Sequence, residues 1–144
     1  MNQNKLTPQG FSVVRPYLAV TDVDRQIDFM KNVFHAEIIE RLKDPEGKTM
    51  HAELVIGDSI ILVGRAGEHV KPIQGMSYVY ISNADEVFER AINQGGTSIA
   101  APVDQVYGNR EGGFTDLEGN TWWIAQFMKQ VPPEELEKEI ARTK

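Results

Sequence analysis

The sequence predicts an α+β domain made of two tandem βαβββ modules, and two observations carry this. Shifting the 144-residue chain by 61 positions lays Val13–Arg65 over Gln74–Gln126 without a gap. Tyr17 then falls on Tyr78, Val20 on Ile81, Asp24 on Asp85, Asn32 on Asn93, Ile38 on Ile99 and Gly47 on Gly108. In each half, moreover, one helical stripe of apolar residues follows a strand and precedes three strand-like segments.

Val13–Val20, rich in Val and containing Tyr17, reads as the first strand. Thr21-x-x-Asp24 and Ser82-x-x-Asp85 are helix starts at the same offset. In each, the hydroxyl suits an orphan backbone N–H and the acid suits the positive end of the helix. Val23, Ile27, Met30 and Phe34 fall at helical spacing. That helix is predicted to stop near His35, which tolerates positive φ and falls on Gly96. Strands follow at Glu37–Lys43, Thr49–Ile56 and Ser59–Gly64, with turns at Asp44–Gly47 and Ile56–Ser59.

A Gly- and Pro-bearing linker, residues 65–75, leads into the second half. There Tyr78–Ile81 is the strand, and Ala84, Val87, Phe88 and Ala91 form the helical stripe. Gly95-Gly96 ends that helix, since glycine accepts positive φ. Ser98–Ala101, Arg110–Thr115 and Thr121–Ala125 complete the module, the last two joined by a turn over Asp116–Asn120. The expected organisation is a flexible arm over residues 1–10, one domain over 11–128 with modules 13–65 and 74–126, and a tail over 129–144. Pro132 with Glu134 and Glu135 predicts a short helix in that tail.

Composition removes several classes of function. Fifteen Lys and Arg against 21 Asp and Glu give a net charge of −6, with no basic stripe, which argues against a nucleic-acid partner. The absence of cysteine excludes disulfides, thiolate catalysis and iron–sulfur clusters. No apolar run approaches the roughly 20 residues that span a bilayer, and Met1–Gly10 lacks an apolar signal core. The expectation is a cytoplasmic protein with no membrane partner. Phosphate loops, dinucleotide turns and nucleophile elbows are absent as motifs.

Specific segments point to a family. Val20-Thr21-Asp22, Ile27–Met30 and Val33–Ala36 resemble the opening of the vicinal oxygen chelate superfamily, the glyoxalase and bleomycin-resistance group. His51-Ala52-Glu53-Leu54 with Ile56-Gly57-Asp58, and Tyr107–Asp116 continued by Glu118–Trp123, resemble motifs of its PhnB-like branch. The resemblance covers residues 11–128. It implies that the two modules form a curled, cup-shaped mixed sheet, and that the inward residues of the first and fourth strands of each module sit at the floor of the cup. In metal-dependent members those positions hold His or Glu. Here they correspond to Arg15, Leu62, Met76 and Trp123. Leu and Trp have no ligating atom, a Met thioether is too soft, and a protonated arginine repels a cation. No metal and no cofactor is therefore expected at that floor.

Other residues are candidates for chemistry. His51 and Glu53, two apart on one strand, share a face. They read either as a base–acid pair or ligands of a relocated metal, or as a polar outer face or dimer-buried pair. Arg110 either clamps a ligand anion or pairs with Asp104, Glu111 or Asp116 to hold its loop. Arg15 needs an anion, either from a ligand or from a residue such as Glu53. Trp122 and Trp123 alternate faces, so one packs inward, and Trp123 joins Tyr17, Leu62, Met76, Tyr78 and Tyr107 in an aromatic cup or fills it. The leading reading is a metal-free small-molecule binding protein, possibly of sequestering or resistance type. The other readings are a glyoxalase- or dioxygenase-like lyase or isomerase with relocated ligands, and a structural dimer with a filled cup. A homodimer is expected, with modules exchanged between chains or not.

Overall fold

Each helix–strand alternation seen in the sequence becomes one four-stranded mixed sheet in the computed structural model, which describes residues 6–8 and 12–143. The arm expected over residues 1–10 falls mostly outside them. The first module contains β1 (Tyr17–Val20), α1 (Val23–Phe34), β2 (Glu37–Lys43), β3 (Thr49–Ile56) and β4 (Ser59–Arg65). The second contains β5 (Met76–Tyr80), α2 (Ala84–Asn93), β6 (Thr97–Asp104), β7 (Asn109–Thr115) and β8 (Thr121–Phe127), and α3 (Pro133–Arg142) follows. The sheet orders are β1-β4-β3-β2 and β5-β8-β7-β6, with β1 and β5 parallel to their neighbours and the other pairs antiparallel.

The structure corrects three local expectations. β1 begins at Tyr17, four residues later than predicted. Pro16 has no N–H to donate to a ladder, Ser12 is in the left-handed region at φ 59, and its carbonyl accepts from Arg15 Nε at 2.8 Å. The helix caps are Asp22 and Asn83 rather than Thr21 and Ser82. Their side chains accept from the backbone N–H of Arg25 and Glu86 at 3.0 and 3.2 Å, and Asp and Asn are among the best N-caps. The repeat, finally, is not gap-free. The left-handed residues at the helix ends are His35 (φ 57) and Gly95 (φ 96), not Gly96. One residue is lost at the end of α2, regained at the irregularity between Ala100 and Val103 in β6, lost again where β3 is irregular at Met50, and regained in the turn at 116–120. Tyr17 beside Leu62 therefore matches Tyr78 beside Trp123, but Glu53 across from Leu62 matches Gly113 across from Trp123.

Both helices lie between the two sheets. The apolar stripe of α1 (Val23, Ile27, Met30, Phe34) is buried against Leu54, Ile61 and Val63 of the first sheet. The same helix reaches the second sheet. The Phe34 ring centroid lies 4.8 Å from that of Trp122, and Phe29 and Phe34 both approach Phe114; such ring pairs contribute about 0.5–1.5 kcal/mol each beyond burial. Arg90 on α2 donates to the Val33 carbonyl of α1 at 2.8 Å.

The turn at 116–120 latches the modules together. Buried Asp116 accepts from Gln26 Nε2 (2.9 Å), Trp122 Nε1 (2.8 Å) and the backbone N–H groups of Glu118 and Asn120 (both 2.9 Å). Glu118 accepts from the Thr21 backbone at 2.9 Å and from Arg25 at 2.7 Å. Burial pushes its carboxyl up, yet these bonds outweigh burial and leave it below the usual carboxylate range.

Candidate functional site

Side chains alternate along a strand, so the residues between the core-facing ones point to the other side of each sheet. In the first module Leu18, Val20, Ile61 and Val63 are buried, and Tyr17, His51, Glu53 and Leu62 occupy the open face. The Tyr17 ring folds over Gly64, where an added Cβ would sit 2.0 Å from the tyrosine hydroxyl. Its centroid is 6.1 Å from the His51 ring. Arg15 precedes the strand but still reaches this face, pairing with Glu53 at 3.5 Å. Glu40 pairs across from Glu53 on β2, and the ligating atoms of Glu40, His51 and Glu53 all lie within 4.8 Å of one another.

On the second module Trp122 points inward at 1% exposure and Trp123 points outward. The Trp123 ring lies over Gly113, where a Cβ would meet ring carbons at 2.6 Å. Tyr78 neighbours Trp123 across the parallel pair and meets Tyr80 edge-on at 5.5 Å. The Tyr78 and Tyr107 hydroxyls both donate to the Glu111 carboxylate, and Asn109 Nδ2 donates to the Tyr78 oxygen at 3.0 Å. Burial, then the bond to Glu111, pushes the Tyr78 hydroxyl up to about 12, and Tyr107 moves upward for the same reasons. Both therefore remain protonated donors at neutral pH and fix the orientation of the carboxylate. Met76, at the start of β5, is 72% exposed.

The structure places two predicted site features elsewhere. Arg110 is not on the open face. It shares the inner face of β7 with Phe114, pairs with Asp85 and Asp104 at 3.0 Å each, and its pKa is raised by those bonds. Its guanidinium is occupied in tying α2 to the β6–β7 turn. The four floor positions, second, do not converge within one chain. Arg15 and Leu62 belong to one open face, Met76 and Trp123 to the other, and the shared Phe34–Phe114–Trp122 core turns those faces outward on opposite sides. None of the four side chains suits a divalent ion of the kind held by imidazole and carboxylate.

The sequence does not single out Glu40 or Asn109 as site candidates and offers Glu111 only as a partner for Arg110. The ungapped repeat hid Glu111, which lies across from Ala125 as His51 lies across from Gly64. A groove of about 470 Å³ runs between Val14, Pro16, the β3–β4 turn and β5, where Tyr78 and Tyr80 help to line it. It opens between the modules and touches none of the charged groups above.

A family model for the Glyoxalase/Bleomycin resistance protein/Dioxygenase superfamily matches residues 10–124, and the chain belongs to that superfamily. An uncharacterized protein of Mycobacterium bovis is 29% identical over 133 residues, covering 85% of this chain and 88% of its own. The crystal structure of TioX from Micromonospora sp. ML1 superposes with a TM-score of 0.68 at 28% identity, covering 80% of this chain and 99% of TioX. The fosfomycin resistance protein FosX from Listeria monocytogenes, complexed with Mn(II) and sulfate, shares the fold at TM-score 0.61 and 18% identity, over 87% of this chain and 96% of FosX. Among the described residues no helix is long and apolar enough to cross a membrane.

Proposed function

We propose that the protein binds a small organic molecule in a chamber built from two chains, the first-module face of one opposite the second-module face of another. The observation that supports this most is the outward exposure of both faces. Tyr17 is 52% exposed, Tyr78 48% and Tyr80 64%, and aromatic surface exposed on a sheet face suits a binding or pairing site. With Arg15, Leu62, Met76 and Trp123 at the floor, recognition rests on ring stacking, shape and hydrogen bonds rather than on an ion. The motifs at His51–Leu54 and Tyr107–Asp116 make the PhnB-like branch the natural place for such a protein. Sedimentation analysis tests the pairing, with a dimer expected that is weakened by Tyr78→Glu. A thermal-shift screen of flat aromatic compounds tests the binding. A monomer that no compound stabilises would overturn the proposal.

The Glu40, His51 and Glu53 cluster favours a second reading, a metal-dependent lyase, isomerase or dioxygenase. A divalent ion there would polarise a substrate oxygen. The Arg15 guanidinium beside Glu53 opposes it by like charge. Calorimetric titration with Zn, Ni, Mn or Fe separates the readings. Tight stoichiometric binding, lost in His51→Ala, would favour the enzyme.

A further inference from the structure

On the open face of the first sheet a fixed positive charge stands beside three side chains of metal-ligand type. Glu40 on β2 lies across from Glu53 on β3, and His51 is two residues before Glu53 on the same strand. None of the three belongs to the floor positions 15, 62, 76 and 123. Their ligating atoms lie within 4.8 Å of one another. A tetrahedral ion bound at about 2.0–2.2 Å needs its ligands about 3.3–3.6 Å apart, so small side-chain rotations bring the three onto one ion. An imidazole with two carboxylates suits zinc, iron or cobalt, whereas calcium takes about six to eight oxygens. Arg15 competes for the same carboxylate. Its Nη1 lies 3.5 Å from Glu53 Oε1, and its Nε donates to the Ser12 carbonyl at 2.8 Å. The two side chains are only 12% and 14% exposed, where water screens charge poorly. A guanidinium keeps its proton, so no proton loss clears it from Glu53. An entering ion must break this pair and bear the like charge of a side chain tethered at a second point.

We propose that Arg15 is the gate of a latent transition-metal site formed by Glu40, His51 and Glu53: the guanidinium holds the place of the ion, and removing its charge opens the site to a divalent metal. This rests on the reading of the chamber as one that recognises its ligand without an ion, and the test separates the two. The full chain is titrated with cobalt(II), followed by visible absorption, and with zinc(II), followed by calorimetry, as wild type and as Arg15→Gln, Arg15→Met and Arg15→Lys. Methionine keeps an apolar stem at the position, so the test does not depend on one variant folding, and urea midpoints identify the folded ones. Arg15→Gln and Arg15→Met bind one ion per chain at least about tenfold more tightly than wild type. Arg15→Lys, which keeps the charge, does not. Adding His51→Ala or Glu40→Gln to Arg15→Gln removes the gain. Folded neutral variants that bind no better than wild type, an equal gain in Arg15→Lys, or a gain that survives His51→Ala overturns the gated site and leaves the ion-free reading intact. Tight stoichiometric binding by the wild type itself, lost in His51→Ala, overturns both.

Discussion

Replacing Asp116 by alanine tests how the two modules are joined. The carboxylate satisfies four donors at once, and of these Gln26, Asn120 and Trp122 belong to residues that are 1% exposed. The Glu118 N–H lies in a partly exposed turn, where water can replace the lost acceptor. Three buried donors are left without a partner, at about 1–3 kcal/mol each, and partial relaxation brings the sum to about 3–5 kcal/mol. For a chain of this length that is a fall in Tm of about 10 °C, a large share of the roughly 5–15 kcal/mol typical of a domain. Urea denaturation followed by tryptophan fluorescence measures it directly, at fixed protein concentration because the proposed dimer would make stability depend on concentration. Trp122→Phe, which removes one donor and keeps the ring in the core, should cost only about 1 kcal/mol. A loss below about 1 kcal/mol in Asp116→Ala would refute the view that this carboxylate holds the modules together.

Asp24 gives an acid-side test. Hydrogen bonds from the Thr49 hydroxyl and from Arg41, both at 2.5 Å, hold its carboxyl down at about 2 from 3.8. A folded value below the unfolded one means stabilisation that is present above about pH 4 and lost as pH falls toward about 2. Because the side chain is 40% exposed, Asp24→Asn should lose only about 1 kcal/mol at neutral pH and approach the wild type near about pH 2. Stability curves that stay parallel across that range would contradict it. Gly113→Ala places a methyl group 2.6 Å from ring carbons of Trp123, so the ring must shift by roughly 1 Å to reach ordinary contact. The Trp123 indole NMR signal should move while that of Trp122, bonded to Asp116, stays in place; an unmoved Trp123 signal would refute the ring placement.

Most of the scaffold was legible because its signals are periodic. The stripe from Val23 to Phe34 marks a helix that begins and ends at those residues, and β2 and β3 match their predicted spans. His35 ends its helix in the left-handed region as its type allows. Legibility failed where one residue changed the register. An ungapped comparison sets Glu53 on Phe114, a core residue, whereas the sheet sets it on Gly113. The Asp104 partner of Arg110, 6 positions away, is one that the sequence offers, whereas Asp85, 25 positions away on α2, lies beyond its motif. The outward turn of both faces was also out of reach. It depends on Phe34 meeting Phe114 and Trp122 across the modules, and no local pattern encodes a contact between distant apolar residues.

The back-to-back stacking of the modules has a genetic consequence. In the dimer proposed above, a chain whose outer surfaces look in opposite directions would contribute half of each of two chambers. Two variants that cannot bind, one damaged at Glu53 and the other at Glu111, would then rebuild one undamaged chamber in every mixed pair. Co-expression would recover binding that neither variant has alone, whereas damage placed twice in one chain would spoil both.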